Sequence, residues 1–343
     1  MGVPEPSYPK GTSVRTRSQL PVLCAALVAA AVSLAGCGSS NSSSAGSPTT
    51  PTSGSTSASP GVPGTLGEVT FSGAVGTTAS IKFAKSFSDV KDTTKVVTKG
   101  KGAKVASGDS LIIQTVIGDA TTGKTVASSY KDKQPQIVAL TSQVQKVFLD
   151  ALEKRTVGSR VAILAPSSEI FGPSGNQQLG VAATDAVVIV FDIIGKPLDK
   201  PNGAQHAAPA WFPKLQKTKG VISGLDFKGT PKPGTALKAA NLRDGTGPVV
   251  KKGQTIFARY LGEVYKGTKP FDQNFDQPSP AAFQIGIGHV IPGWDKALVG
   301  EHVGSEVLLA IPPKEGYGKK GNSQAGITGT DTLYFVVDIV GAA

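Results

Sequence analysis

Slid against itself by 146 positions, the sequence matches itself: Val144 to Gly195 lies on Val290 to Gly341 without a gap, and 20 of the 52 pairs are identical. This composition would give roughly three or four identities by chance, so the match is a real repeat. The shared residues include Ala151-Leu152 with Ala297-Leu298, Val157-Gly158-Ser159 with Val303-Gly304-Ser305, and Asp192-Ile193 with Asp338-Ile339. Upstream the offset slips to 145 or 144, with Gly108-Asp109 against Gly253-Gln254, which places small insertions in loops. A period of that length is a whole domain, so the chain is a duplication and not a solenoid.

Each half carries the same pattern. Val144, Val147, Phe148, Ala151 and Leu152 recur at helical spacing, as do Trp294, Ala297 and Leu298 in the second half. Around these short helices lie strands: Thr255 to Leu261, Glu306 to Ile311, and Thr332 to Val340, where Leu333, Phe335, Val337 and Ile339 alternate onto one face. The expected architecture is α+β: two tandem domains, each an antiparallel β half-barrel around one short helix, with a pocket where helix and sheet meet. With 42 glycines, 24 prolines and 17% charged residues, long coiled coils are excluded.

The second half carries six motifs in order: Gly253 to Gly262 ending in Tyr260-x-Gly262, Lys269-Pro270-Phe271-Asp272, Val290-Ile291-Pro292-Gly293-Trp294-Asp295, Val303-Gly304, Tyr317-Gly318, and Phe335 in the last strand. Over about residues 235 to 343 they resemble the FKBP-type peptidyl-prolyl cis/trans isomerases. The resemblance implies a fold in which Trp294 is the floor for a proline ring and Tyr260, Phe271, Phe283, Val290, Ile291 and Phe335 are walls. It also implies that the Ile291 amide and Tyr317 hydroxyl donate to substrate carbonyls, and that Asp272 is held by the Tyr260 hydroxyl. Ile327, in the loop after Tyr317, joins the substrate-binding set. No cofactor or metal is implied.

Such residues suit the chemistry. Rotating a peptide bond costs about 18–20 kcal/mol because it breaks amide resonance. A dry apolar pocket with aimed donors favours the less polar, twisted amide without nucleophile or proton relay. The sequence also departs from the family pattern. Ala281 stands where Phe is usual and opens one wall, Gln277 replaces an Arg that would face Asp272, and His289 replaces Gln or Glu. A non-catalytic chaperone or proline-peptide-binding lipoprotein is therefore the alternative to an enzyme. In the first half Trp becomes Phe148, Tyr317 becomes Phe171, the Phe-Asp pair becomes Val126-Ala127, and the strand tyrosine becomes Thr115 or a neighbour. That half is expected to keep the fold and to lack appreciable activity.

The N-terminus concerns location. Lys10, Arg15 and Arg17 precede an apolar, Ala-rich run from Pro21 to Gly36, as in a secretory leader. Leu34-Ala35-Gly36-Cys37 resembles the lipobox of bacterial lipoproteins, which implies a diacylglycerol on Cys37 and anchorage to the outer face of the cytoplasmic membrane. Cys24 would leave with the leader, so no disulfide remains possible. The expected segments are a leader over 1–36, a Ser/Thr/Gly/Pro tether over 37–67, a degenerate domain over 68–196, a connector over 197–218 and the isomerase domain over 219–343.

The formal charge is +11; removing Glu5, Lys10, Arg15 and Arg17 takes away +2 and leaves +9. The excess is Lys spread along the chain, with no Arg-rich or aromatic–basic module, so nucleic acid is not the expected partner. Proline-containing exported polypeptides are.

Overall fold

The computed structural model describes residues 61–343, which fall into two compact units, 61–196 and 197–343. The leader, Cys37 and most of the tether lie outside the described residues.

In the first unit the strands are β1 (Val69–Ser72), β2 (Ser80–Phe83), β3 (Thr93–Thr98), β4 (Ser110–Asp119), β5 (Lys124–Ser128), β6 (Gln136–Ala139), β7 (Arg160–Pro166) and β8 (Ala186–Gly195). Its helices are α1 (Ser129–Asp132), α2 (Lys146–Leu152) and α3 (Ser167–Phe171). The second unit has β9 (Lys214–Thr218), β10 (Val221–Asp226), β11 (Lys238–Arg243), β12 (Thr255–Val264), β13 (Asp272–Gln273), β14 (Ala281–Gln284), α4 (Pro292–Leu298), β15 (Glu306–Ile311) and β16 (Leu333–Ala342). The two main sheets are antiparallel with the same order, β3-β7-β8-β4-β5 with β6 on β4, and β11-β15-β16-β12-β13 with β14 on β12.

The register of the two sheets also corresponds. Tyr260 opposes Val337 on β16, and Thr115 opposes Phe191 on β8, so Thr115 is the residue that replaces the strand tyrosine. Asp272 opposes Gly262 where Ala127 opposes Ile117.

A seven-residue helix is marginal by itself, and α2 and α4 are held by what they bury. In α4 these are Trp294 and Leu298; in α2, Phe148, Ala151 and Leu152. Pro292 at the first helical position suits a start where the amide has no intrahelical partner. Leu333, Phe335, Val337 and Ile339 face this helix core as the alternation predicts. The intervening Tyr334 and Val336 are buried too, in a second core on the opposite face of the sheet.

That second core corrects two segment boundaries. Residues 61–67, read as tether, are folded: Thr65 and Glu68 form a capping box around the turn Leu66–Glu68, and Leu66 is buried against the outer face of the first sheet with Val69, Ile81 and Phe87. Residues 197–218, read as a connector, belong to the second unit. Leu198 donates its amide to Val340, Trp211 and Phe212 pack edge to face, and Lys214–Thr218 is a strand of the β9–β10 hairpin. Phe212, Ile222, Leu225 and Phe227 cover Leu308, Tyr334 and Val336. Each unit thus carries an N-terminal hairpin that seals the sheet face remote from the helix.

Beneath these hairpins one cross-strand pair differs in charge between the two units. In the first, Arg160 opposes Asp192 and bonds it twice, at 2.6 and 2.7 Å. In the second, the pair is Glu306 opposite Asp338, both buried. Burial and mutual repulsion push the Asp338 carboxyl well up, and burial pushes Glu306 up, against the partial relief of Lys217 on β9, Arg243 on β11 and, for Asp338, Arg259 on β12. Among the described residues neither carboxylate makes an ion pair, and Asp338 Oδ1 is buried without a hydrogen-bond partner. Because the folded state holds these protons more tightly than the unfolded state does, stability falls as pH rises from the ordinary carboxylate range through the folded values. Asp338→Asn is expected to stabilise the second unit by about 1–3 kcal/mol at pH 8 and to match the parent near pH 4. Hydrogen-exchange protection of β15 and β16 across that range checks it; equal protection at pH 8 contradicts it.

Candidate active site

The site grows from Trp294, held on the first turn of α4 and 3% exposed. Three rings meet its indole edge on: Tyr260 at 5.5 Å, Phe283 at 5.0 Å and Phe335 at 5.4 Å between centroids. Phe271 stands edge to face on Phe335 at 5.5 Å. Such pairs are each worth about 0.5–1.5 kcal/mol beyond area burial and fix ring orientation, so the assembly is stiff. Gly262 makes room for it, since a Cβ there would lie 2.5 Å from Phe335 and 2.6 Å from Phe271. Val290 and Ile291 are half-buried beside the helix start, and Ile327 is buried in the loop after Tyr317.

The polar groups are few. The Tyr260 hydroxyl donates to Asp272 Oδ2 at 2.7 Å. Burial and this carboxylate push the Tyr260 phenol far above its ordinary value, so it remains a donor at any working pH. Tyr317 sits at the rim, 38% exposed; its phenol is raised by burial and by the charge of Asp272, against a hydrogen bond from Asn322. The Ile291 amide donates to no group among the described residues, and Trp294 Nε1 is buried without an acceptor. Of the ten residues picked from the sequence, eight share the core around Trp294, Asp272 joins them through the Tyr260 hydroxyl, and Tyr317 lies near enough to feel the charge of Asp272.

Sequence reasoning missed three supports. Asp295 accepts from the amides of Gly286 and Gly288, both at 2.6 Å, and so fixes the loop ahead of α4. Asn274 fills the gap between β13 and β14: its Oδ1 accepts from the Tyr260 amide at 2.7 Å and its Nδ2 donates to the Ala258 carbonyl at 3.0 Å. The first unit does the same with Ser129, whose hydroxyl accepts from the Thr115 amide at 2.8 Å. Arg259 spends its guanidinium on the carbonyls of Asn274, Gln277 and Pro278, so Asp272 has the Tyr260 hydroxyl and no ion pair among the described residues. Only Asp295 had a signal, as the acid in the first turn of a helix.

The first unit is rebuilt at the equivalent place. Where the second has Tyr260 opposite Val337 above Trp294, the first has Thr115 opposite Phe191 above Phe148. Phe148 and Phe191 meet edge to face at 5.7 Å. The volume lost from Trp and Tyr is thus returned across the strand pair by a larger Phe191, as a solid core requires.

Comparison with known proteins bears on the family. The family model described as FKBP-type peptidyl-prolyl cis-trans isomerase matches residues 247–340. An FK506-binding protein of Streptomyces anulatus is 36% identical over 116 residues, which cover 34% of this chain and 93% of that protein. The chain belongs to the FKBP-type isomerases. Among other FKBP relatives, peptidyl-prolyl cis-trans isomerase FKBP15-1 of Arabidopsis thaliana is 44% identical over 89 residues, and the chain spans 57% of that protein. The crystal structure of AtFKBP13 is 33% identical, with 31% of this chain and 93% of that one covered at a TM-score of 0.29. The stretch matched by the family model lies within the second unit.

Proposed function

We propose that the second unit isomerises X-Pro bonds of exported polypeptides, and that the first unit keeps the fold without the activity. Trp294 is the floor for the proline ring, and Phe271, Phe283, Val290, Ile327 and Phe335 are the walls. The Ile291 amide and Tyr317 hydroxyl donate to the peptide carbonyls that flank the proline, while the Tyr260–Asp272 bond holds the polar side of the site rigid. The apolar box favours the twisted, less polar amide over the planar one. A thousandfold acceleration needs only about 4 kcal/mol of that difference. X-Pro bonds are the fitting substrate because cis lies within about 1 kcal/mol of trans while exchange takes tens of seconds or more.

The observation that carries this reading is the 2.7 Å Tyr260–Asp272 bond beside a buried Trp294 that three rings enclose. The leader and Cys37 support an enzyme tethered at the outer membrane face, where exported chains emerge. Exchange spectroscopy on an X-Pro peptide with residues 38–343 tests the activity. Faster exchange is the expected result; none from a folded sample turns the site into a binding surface. For the anchor, the mass of the membrane-extracted protein should show a diacylglyceryl adduct that Cys37→Ser lacks.

A further inference from the structure

The reading of the second unit as an isomerase leaves open which X-Pro bonds it takes, and the charges around the site bear on that. The loop between β15 and β16 supplies Tyr317 and Ile327, so it forms one edge of the site. It also carries Lys314, Lys319 and Lys320, all exposed and in no ion pair among the described residues. Of its two acids, Glu315 is neutralised by Lys296 at 2.7 Å, and Asp331 accepts from the Thr328 amide at 2.7 Å. The loop before Phe271 adds exposed Lys266 and Lys269 and no acid, and the loop before Val290 adds exposed His289 and no acid. Asp272 is tied by Tyr260.

The duplication provides a control within the same chain. The corresponding loop of the first unit has the same backbone device: Asn176 bridges Val181 as Asn322 bridges Ile327, each around a short turn capped by that asparagine. Yet Ser168, Pro173 and Ser174 stand where Lys314, Lys319 and Lys320 do, and that loop carries Glu169 and Asp185 with no base. The fold therefore does not require the lysines. They accompany the half that keeps the tyrosines, Asp272 and Trp294.

We propose that this basic rim makes the isomerase select X-Pro bonds set in acidic polypeptide segments, the proposal resting on the second unit being the isomerase. Exposed lysines on the loop that supplies Tyr317 attract carboxylates on residues flanking the proline without taking part in the rotation of the amide, so they act on capture. The attraction operates over a Debye length of about 8–10 Å at ordinary salt and is screened at high salt.

The test compares three peptides with one X-Pro core flanked by Glu, by Gln or by Lys, on residues 38–343 and on its Lys314→Gln/Lys319→Gln/Lys320→Gln variant. At low salt the Glu-flanked peptide is expected to exceed the Lys-flanked one in kcat/KM by about three- to tenfold, mainly through KM. The ratio should fall toward one in 0.5 M salt and in the triple variant. Turnover of the Gln-flanked peptide with no difference between Glu and Lys flanks overturns the charge proposal and leaves the isomerase reading standing. Turnover of none of the three overturns the isomerase reading and this proposal with it. A variant that keeps the peptide preference but loses binding to phosphatidylglycerol vesicles overturns it as well, because the lysines would then read a membrane surface.

Discussion

Replacing Asp192 by alanine is expected to destabilise the first unit by about 3–5 kcal/mol, because it leaves a buried guanidinium without its counter-charge. Arg160 is 1% exposed, and its guanidinium bonds both Asp192 oxygens and the carbonyls of Ser72, Gly73 and Ala74. It thereby clamps the loop between β1 and β2 onto the sheet. Asp192 also accepts from the Gly76 amide and from the Tyr130 hydroxyl, whose phenol is held far above its ordinary value by burial and by this carboxylate. Without Asp192 the guanidinium stays buried with only neutral carbonyls for company, and the hairpin loses the group that organises it. Protection from hydrogen exchange should collapse in β7 and β8, whereas β15 and β16 keep theirs. A loss below about 1 kcal/mol would mean that water reaches Arg160.

Much of this was legible in the sequence, and the reasons differ from part to part. The duplication showed because identical residues at a fixed offset need no structural reasoning. The candidate site could be picked out because six motifs hold fixed spacings, and eight of its ten residues share one core with Trp294 among them. The two hairpins did not show. Lys214-Leu-Gln-Lys-Thr218 has one apolar side chain in five and follows four prolines, so locally it reads as a connector. Its reason to be a strand lies elsewhere, on Leu308, Tyr334 and Val336. The signal available was the nearly unbroken apolar run of β8 and β16, which marks strands buried on both faces and asks for a cover. Asn274 and Arg259 were invisible for another reason: both act on backbone groups at a break in strand pairing, and no side-chain pattern reports that. The exchange of Arg160 for Glu306 was on view in the repeat, yet only the register puts Glu306 against Asp338.

We propose that the same fold, present twice, does chemistry once. Trp294 and Phe148 occupy one place in the two units, so they form a matched pair of positions. Trp294→Leu keeps an apolar filler but removes the ring on which Tyr260, Phe283 and Phe335 converge. The expected loss of kcat/KM is about tenfold or more, or at least about 1.4 kcal/mol of transition-state stabilisation. Phe148→Leu removes the edge-to-face contact with Phe191 and costs the first unit packing, at most a few kcal/mol. It touches no group of the proposed chemistry. The measurement is the exchange rate of one X-Pro peptide on residues 38–343 carrying each substitution in turn, with hydrogen exchange reporting that both units remain folded. The expected result is a rate lost with Trp294→Leu and within about twofold of the parent with Phe148→Leu. A rate that survives the first and falls with the second would place the isomerase in the other unit and contradict it.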